Sequence, residues 1–445
     1  MKKNANANFN ESQLVKVVEL DPICRQQQVN EKCFETFDLV PAKALTLTIP
    51  ALLKADWMFC IVPFKNKANA VYNTLYGEIS EKCPASILRK KENSCLYLDP
   101  ESAERINLYI HMKNILFILL TFLSVSFRLY AQDVIKIGII GLDTSHSTAF
   151  TELLNGDSDD KFVKEFEVVA AYPYGSKTIQ SSYERIPGYI EEVKKHGVEI
   201  TSSIAELLDK VDCVMLETND GRIHLEQAME VFKSEKICYI DKPIGATLGQ
   251  AIAIYEMAEK YKVPIFSSSA LRYSPQNQKL RNEEFGKILG ADCYSPHKVE
   301  PTHPDFGFYG IHGVETLYTL MGTGCESVNR MSSKDADVVV GRWKDGRIGT
   351  FRGIKEGPAI YGGTAYTPKG AIAAGGYEGY KVLLDQILTF FKTGVAPISK
   401  EETIEIFTFM KASNMSKEQN GRIVSMEEAY REGLKDAQKL IKTYK

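Results

Sequence analysis

Residues 134–148, VIKIGIIGLDTSHST, decide the fold: an apolar run ends in glycine and leads into a helix-like segment. Four more apolar runs follow at residues 166–171, 211–216, 237–240 and 263–266. Segments with helical periodicity separate them, at 188–196, 204–208, 223–233 and 248–260. Strands that alternate with helices at this spacing predict an α/β fold with a doubly wound parallel sheet. Ligands of such sheets lie beyond the carboxyl ends of the strands.

The pattern changes from about residue 267 to the end of the chain. Short apolar runs at 337–341 and 348–352, with the turns KDGR and EGPA, predict an antiparallel sheet. Helical patterns cover 380–392, 400–412 and 426–443. We therefore predict a ligand-binding α/β domain over 133–266 and an α+β domain with a mainly antiparallel sheet over 267–445.

The composition is that of a soluble globular protein of two or three domains, with 445 residues, 44% of them hydrophobic and 25% charged. Lysine and arginine total 54 against 57 acidic residues, so there is no basic excess and we expect no nucleic-acid partner. Nine cysteines without a CxxC pair argue against a disulfide framework and a zinc ribbon.

Residues 112–132, MKNILFILLTFLSVSFRLYAQ, have the order of a secretory signal peptide: a basic start, an apolar stretch and a small residue, Ala131, at the cut site. The apolar stretch of 13 residues is shorter than the roughly 20 that span a bilayer. Either Met112 is the true start of an exported, periplasmic chain, or the chain is a fusion with an internal membrane anchor. We favour the first interpretation, in which this segment is the only part of the chain that contacts the membrane.

The first 111 residues carry a separate pattern. Residues 57–63 predict a buried parallel strand, 65–76 a helix and 95–98 a last short strand. The run DLVPAKALTLTIPALLKADWMFCIVPFKNKANAVYNTLYGEISEKCPASIL resembles the C-terminal part of glucosamine-6-phosphate deaminases, over about residues 20–105. This resemblance implies that Lys67 contacts a sugar phosphate. The family's catalytic aspartate and histidine segments lie upstream and are absent here, so we interpret residues 1–111 as an inactive partial α/β fragment.

Residues 134–445 carry an ordered set of motifs: ETNDGRIH at 217–224, YIDKP at 239–243, SALRYSP at 269–275 and GIHGVE at 310–315. This set resembles the glucose–fructose oxidoreductase / inositol dehydrogenase family, Gfo/Idh/MocA. The resemblance implies a Rossmann-like dinucleotide-binding domain over 133–266 and a substrate and oligomerisation domain over 267–445. It also implies an NAD or NADP cofactor, a sugar or cyclitol substrate and a homo-oligomer.

The resemblance assigns roles residue by residue. Lys242 would lie beside the nicotinamide and the reacting sugar carbon, and His312 would take the hydroxyl proton. The aspartate of the family's motif falls on Phe308, so Tyr309 is the nearest replacement. Cofactor binding falls on Gly141, Asp143, Thr144, Ser145, His146, Thr218, Asn219, His224, Asp241 and Lys242. Substrate binding falls on Arg272, Tyr273 and Glu315.

The glycine loop departs from the usual GxGxxG pattern, whose positions fall on Gly141, Asp143 and His146. The second glycine normally lets the backbone approach the pyrophosphate, whereas Asp143 adds a side chain and a negative charge. No acidic residue ends the second strand to bind a ribose hydroxyl, while Ser176 and Lys177 follow it and favour NADP.

Three alternatives stay open. The protein is an NAD-dependent glycosidase that works by oxidation and elimination, or a non-catalytic exported carbohydrate-binding protein. The histidines and carboxylates between 297 and 315 could also bind a metal, but their spacing matches no helical pair of ligands and we expect no metal there.

Overall fold

The computed structural model describes residues 7–30, 32–106 and 134–444. The predicted signal segment, 112–132, lies outside these residues, so it stays a prediction. Within the described ranges, no helix has the length and apolar character that crossing a membrane requires. The chain divides into two compact units, Met1–Leu129 and Tyr130–Lys445, which are described separately.

The first unit is a small α/β fragment. Its elements are β1 Val15–Glu19, α1 Pro22–Asn30, β2 Lys43–Leu47, α2 Ile49–Leu52, β3 Met58–Val62, α3 Ala68–Tyr76 and β4 Ser94–Leu98. Short 3-10 turns lie at Phe37–Leu39, Lys65–Lys67 and Pro84–Lys90. Strands β1 and β2 pair antiparallel, and β3 and β4 pair parallel.

The predicted parallel strand at 57–63 is therefore present, but the prediction that it is buried is wrong. Phe59 is 63% and Ile61 75% exposed. Side chains along β3 alternate between half-buried and exposed, because a pleated strand turns successive residues to opposite faces and only one face of this two-stranded sheet is covered.

The second unit begins with the predicted parallel sheet. Its elements are β5 Ile135–Ile140, α4 Ser145–Asn155, β6 Phe166–Tyr172, α5 Gln180–Tyr183, α6 Ile186–Lys195, β7 Glu199–Ile200, α7 Ile204–Leu208, β8 Cys213–Leu216, α8 His224–Lys233, β9 Cys238–Ile240, α9 Leu248–Tyr261 and β10 Ile265–Phe266. The strand order is β10-β9-β8-β5-β6-β7, and every neighbouring pair is parallel. Ile137, Ile139 and Val214 are wholly buried, as in a parallel sheet covered on both faces.

A second, larger sheet follows. Its elements are α10 Pro275–Arg281, β11 Gly290–Pro296, α11 Ile311–Met321, β12 Cys325–Ser332, β13 Ala336–Trp343, β14 Ile348–Ile354, β15 Gly362–Thr367, β16 Gly370–Ala374, α12 Lys381–Thr393, α13 Lys400–Glu418, β17 Val424–Ser425 and α14 Met426–Lys442. The order is β16-β15-β11-β14-β13-β12-β17. The sheet is antiparallel as predicted, apart from the parallel pair β11 and β14.

The last helix returns to the first sheet, where α14 packs against α9. Two glycines permit the close approach. A Cβ at Gly249 would lie 2.9 Å from the Cβ of Asp436, and one at Gly433 would lie 2.4 Å from Leu248. The two sheets therefore share a helical interface, and the chain passes from the first sheet to the second after β10.

Candidate active site

A cavity of about 490 Å³ opens where the carboxyl ends of β5, β8 and β9 meet the second sheet. The predicted site residues that line it are Thr144, Ser145, His146, Asn219, Lys242, Tyr309 and His312. Five further residues line the cavity and were not predicted from the sequence: Arg185, Lys298, Tyr361, Tyr377 and Tyr380. The three tyrosines lie in loops after β14 and β16, and only the tertiary fold brings those loops to the sheet edge.

A cluster of charged side chains lies under Lys242, which follows β9. The Lys242 Nζ is 3.5 Å from the Asp241 Oδ2, and the His146 Nδ1 is 3.0 Å from the Asp241 Oδ1. The same His146 nitrogen is 3.6 Å from the Glu217 Oε2. Asp241 and Glu217 are wholly buried, at the ends of adjacent strands.

Burial opposes every charge in this cluster, so the pairings decide which groups are ionised. Burial would lower the pKa of His146, but Asp241 and Glu217 outweigh it and raise that pKa to about 10. Burial and the Asp241 charge raise the pKa of Glu217 to about 7. Burial would also lower the pKa of Lys242, but Asp241 raises it above its ordinary value. Lys242 and His146 are therefore cations at neutral pH, and both form ion pairs with the Asp241 carboxylate.

His312 enters the cavity from the start of α11 as a neutral imidazole. Its Nδ1 lies 2.8 Å from the Ser269 hydroxyl. Burial, together with the positive charges of Lys242 and His146, lowers the pKa of His312 well below its usual value. Tyr309 lies beside it with ring centroids 5.2 Å apart, and the Tyr361 hydroxyl donates a 3.0 Å hydrogen bond to the Tyr309 hydroxyl. A neutral imidazole and a phenol thus share one wall with a lysine.

Tyr380 closes the cavity next to the α4 N-terminus. Its ring lies edge-on to His146, with centroids 4.6 Å apart, and its hydroxyl is 3.3 Å from the Ser145 hydroxyl. Burial would raise the pKa of the Tyr380 phenol, but the His146 cation and the Ser145 hydroxyl outweigh it and lower that pKa. Tyr380 is therefore a more acidic phenol than usual, and its place in the cavity was not predicted from the sequence.

The glycine loop is built around a buried carboxyl. Gly141 has φ +96°, and a Cβ there would lie 2.5 Å from the Thr218 Oγ1, so only glycine fits. Asp143 is wholly buried, and its carboxyl accepts hydrogen bonds from the backbone N–H groups of Ser176 (2.9 Å) and Asn219 (3.0 Å). Burial raises the pKa of Asp143 to about 6. The loop is thereby tied to the ends of both β6 and β8.

The segment after β6 is held over the same edge of the sheet. The Ser176 hydroxyl donates a 2.7 Å hydrogen bond to Asp220, and the Asn219 amide donates a 2.8 Å hydrogen bond to the Ser182 hydroxyl. Ser176, which the sequence analysis offered to an NADP phosphate, is only 2% exposed and has these partners instead.

A dinucleotide fits this site unevenly. The amide of Asn219, the ammonium of Lys242 and the hydroxyl of Thr144 line the open cavity and suit the nicotinamide and a substrate hydroxyl. At the loop, Asp143 has the position of the second glycine, and its buried carboxyl, bound to the N–H groups of Ser176 and Asn219, adds a negative charge to the phosphate-binding loop. The residues therefore fit the nicotinamide end, and the phosphate end fits best when Asp143 is neutral or turned aside.

Several predicted contacts lie behind the cavity wall. Arg272 is 2% exposed, and its guanidinium donates hydrogen bonds to Glu315 (2.8 Å) and Glu402 (2.7 Å). Glu315 also accepts a 2.9 Å hydrogen bond from the backbone N–H of Ser269, whose hydroxyl contacts His312. Tyr273 is buried in the core next to Arg272. This Arg272–Glu315 pair holds the wall that positions His312, and none of these three residues lines the cavity.

Thr218 and His224 support the site from below. Thr218 is wholly buried against Gly141. The ring of His224 is buried between two backbone carbonyls, those of Thr218 (2.6 Å) and Ile244 (3.2 Å). His224 thus fixes the turn after β8 rather than facing a ligand.

In the described chain, one trio of side chains has metal-ligand geometry: the donor atoms of His146, Glu217 and Asp241 lie within 4.8 Å of one another. The 297–315 histidines raised by the sequence analysis are divided instead. His297 lies 2.9 Å from Asp337 on a different strand, and His303 lies 3.4 Å from Asp220.

Comparison with known proteins agrees with this architecture. Residues 135–268 match a family described as "Oxidoreductase family, NAD-binding Rossmann fold". A probable dehydrogenase from Thermotoga maritima has a TM-score of 0.55 and 21% identity, over 66% of this chain and all of its own. Myo-inositol dehydrogenase from Lactobacillus casei, crystallised with NAD(H) and myo-inositol, has a TM-score of 0.53 and 13% identity, over 66% of this chain and 96% of its own. At these identities the likeness concerns the fold.

The curated relatives match the first unit instead. Glucosamine-6-phosphate deaminase from Clostridium botulinum (Eklund 17B) is 33% identical over 109 residues, 23% of this chain. The enzyme from Clostridioides difficile is 32% identical over 110 residues, 24% of this chain. The chain spans 43% of the length of these two relatives. Both resemblances drawn from the sequence are thus confirmed, and the match to the Gfo/Idh/MocA oxidoreductase family covers residues 135–268.

Proposed function

We propose that residues 134–444 form an NAD(P)-dependent oxidoreductase that acts on a sugar or cyclitol hydroxyl. One observation carries the proposal: a single cavity at the carboxyl edge of the parallel sheet holds a charged lysine, a neutral histidine and a phenol, Lys242, His312 and Tyr309. The NAD-binding family matched by residues 135–268 and the inositol dehydrogenase neighbour support the same class.

A nicotinamide held beside Asn219, Lys242 and Thr144 would supply the hydride acceptor for oxidation of the substrate's carbinol carbon. The hydroxyl proton must leave at the same time, and His312 is the base with the right charge because it is neutral. If its Nδ1–H donates to the Ser269 hydroxyl, its Nε2 is left to accept the proton. Lys242 stays charged and stabilises the negative charge that develops on the substrate oxygen. Tyr309, which accepts from Tyr361, can direct its own O–H to the substrate.

Lys242→Ala is the direct test of this assignment. We expect turnover to fall by 10²-fold or more, while dinucleotide affinity stays within about twofold, because the lysine acts on the substrate oxygen. The measurement is the absorbance of NAD(P)H formed with a panel of sugars and cyclitols, beside a titration of the dinucleotide. Lys233→Ala, an exposed lysine at the end of α8, is the matched control. Equal turnover of the Lys242→Ala and unchanged proteins contradicts the assignment.

A second candidate, an exported carbohydrate-binding protein without turnover, is favoured by one observation, the Asp143 carboxyl in the glycine loop. An NAD-dependent glycosidase would use the same residues, and it is distinguished by sugar release without net NADH. Dinucleotide binding by the purified protein separates the two enzymes from the binding protein.

We also propose that translation starts at Met112 and that the protein is exported as a homo-oligomer, with residues 1–111 as an inactive deaminase remnant. The signal-like order of residues 112–132 supports export. N-terminal sequencing of the native protein tests the start, and light scattering tests the oligomer. Ammonia release from glucosamine 6-phosphate by the full chain would contradict the proposal that residues 1–111 are inactive.

A further inference from the structure

We infer that the substrate of this cavity is an anionic sugar, a polyhydroxylated carboxylate that Arg185 and Lys298 select by charge. The inference rests on the proposed function, since it concerns the same cavity. Three lysine or arginine side chains and His146 line the cavity, and no aspartate or glutamate is among the described residues that line it. Such an electrostatic imbalance favours a negatively charged ligand.

The two inner cations are already balanced. Lys242 lies 3.5 Å and His146 3.0 Å from the buried carboxylate of Asp241, with Glu217 behind them. These charges hold each other in place inside the protein, so they are not evidence for a ligand charge.

The two outer cations are not balanced in this way. Arg185 and Lys298 are exposed, and neither forms an ion pair with a carboxylate in the described part of the chain. They come from different halves of the second unit: Arg185 precedes α6 beside the parallel sheet, and Lys298 follows β11 of the larger sheet. The Lys298 Nζ lies 5.7 Å from the centroid of the Tyr309 ring, which places this charge next to the proposed acid–base group.

The rest of the lining suits a sugar ring. Tyr361, Tyr377 and Tyr380 offer aromatic faces and hydroxyls, and Ser181 and Ser269 add further hydroxyl groups. Aromatic faces pack against the C–H face of a pyranose, while hydroxyls exchange hydrogen bonds with its edge. A sugar acid combines both requirements, because its ring matches the tyrosines and its carboxylate matches the bidentate donors of an arginine.

The diphosphate of the dinucleotide is the other anion that these cations could serve. Like a sugar acid, the diphosphate is negatively charged. Unlike a sugar acid, it is not expected to bind only at one end of the cavity. The two sources differ in their response to mutation. If the two cations bind the substrate, Arg185→Gln and Lys298→Gln should weaken binding of the sugar acid and leave the affinity for the dinucleotide unchanged.

The test is calorimetric titration of the full chain with glucuronate, galacturonate and gluconate, each beside its uncharged counterpart glucose, galactose or glucitol. We expect at least one acid to bind tenfold or more tightly than its counterpart. Arg185→Gln and Lys298→Gln should each remove most of that preference. Lys195→Gln, an exposed lysine on α6 outside the cavity, should keep it.

Equal affinity for acids and neutral sugars, or no acid binding at all, overturns the inference. The inference is also overturned if the two variants lower the affinity for NAD or NADP and leave acid binding intact. Failure of the proposed function has a different signature: acids bind with the expected charge dependence, but no dinucleotide binds and no NAD(P)H forms. Thermal unfolding of each variant is compared with that of the unchanged chain. We expect the same midpoint, because both substituted positions are exposed.

Discussion

Asp143 decides at the scale of one residue how readily the dinucleotide binds. Burial raises its pKa to about 6, so it is mostly ionised above that pH and mostly neutral below it. A dinucleotide phosphate near an ionised Asp143 meets like-charge repulsion, which protonation removes. We expect NAD affinity to rise as the pH falls through about 6, by about tenfold or ~1.4 kcal/mol.

Asp143→Asn keeps the size of the side chain and removes its charge. This variant should bind NAD about tenfold more tightly at pH 8 and lose the pH dependence. Calorimetric titrations between pH 5.5 and pH 8.5 make the comparison, with the exposed Asp159→Asn as control. A flat pH profile for the unchanged protein contradicts this account of the loop.

His146 replaces the third glycine of the loop and neutralises buried carboxylates. Its folded pKa of about 10 lies above the unfolded value of 6.5. Its contribution to stability is therefore fully present below pH 6.5 and is lost as the pH rises through about 10. His146→Gln removes the cation and leaves Asp241 and Glu217 facing each other, so we expect the second unit to lose about 3 kcal/mol at pH 7.

Urea unfolding followed by tryptophan emission measures this loss, because Trp343 is 1% exposed and reports on the second unit. Trp57, in the first unit, is already 61% exposed. The control is His196→Gln, at the end of α6 and away from the cluster. A His146→Gln protein as stable as the unchanged one at pH 7 shows that the buried charges are not coupled as described.

The residue types at the site were predictable, and their partners were not. The order of motifs identified Lys242 and His312, because a lysine after a strand and a histidine at a helix start are visible in the sequence. Arg272 and Glu315 looked equally suited to a substrate, but they pair with each other in the core. A charge that meets its partner 43 residues away in the chain cannot be recognised by local pattern.

At the scale of elements, five of the six strands in the parallel sheet were predicted within a few residues, and the two-residue strand β7 was not predicted. Strands such as β5 and β8 are buried on both faces and are therefore continuous apolar runs in sequence. Strand β11 was not predicted, because its sequence GADCYSP has no apolar periodicity. The loops that bring Tyr361 and Tyr380 to the cavity were also missed, since their positions depend on the packing of the larger sheet.

The α9–α14 contact makes a prediction at this scale. A Cβ at Gly433 would lie 2.4 Å from the buried side chain of Leu248, so Gly433→Ala must push the two helices apart. We expect a loss of about 1–3 kcal/mol in the unfolding free energy of the second unit. Gly188→Ala in α6 is the control, because no atom lies within 4 Å of its added Cβ and alanine favours the helix.

The two variants should therefore change the stability of the second unit differently. Gly433→Ala should lower the urea midpoint of the Trp343 transition, and Gly188→Ala should leave it unchanged or raise it slightly. If both variants unfold at the same midpoint, a glycine at position 433 is not required for close packing of α9 and α14.

At the scale of the whole molecule, the chain joins a deaminase-like fragment to a dehydrogenase-like unit. The fragment exposes apolar side chains such as Phe59 and Ile61 that a complete domain would cover. The second unit has a continuous core through both sheets and a chemically equipped cavity between them. The proposed function therefore belongs to the second unit.

The proposed oxidoreductase function requires that the second unit binds a dinucleotide. The most direct measurement is to purify the full chain, denature it and identify released NAD(H) or NADP(H) by mass spectrometry, with calorimetric titration of each dinucleotide into the native protein. We expect bound or titrating dinucleotide, with tighter binding at pH 5.5 than at pH 8. Absence of any dinucleotide binding across that range, by a protein that is folded, contradicts it and leaves a carbohydrate-binding protein.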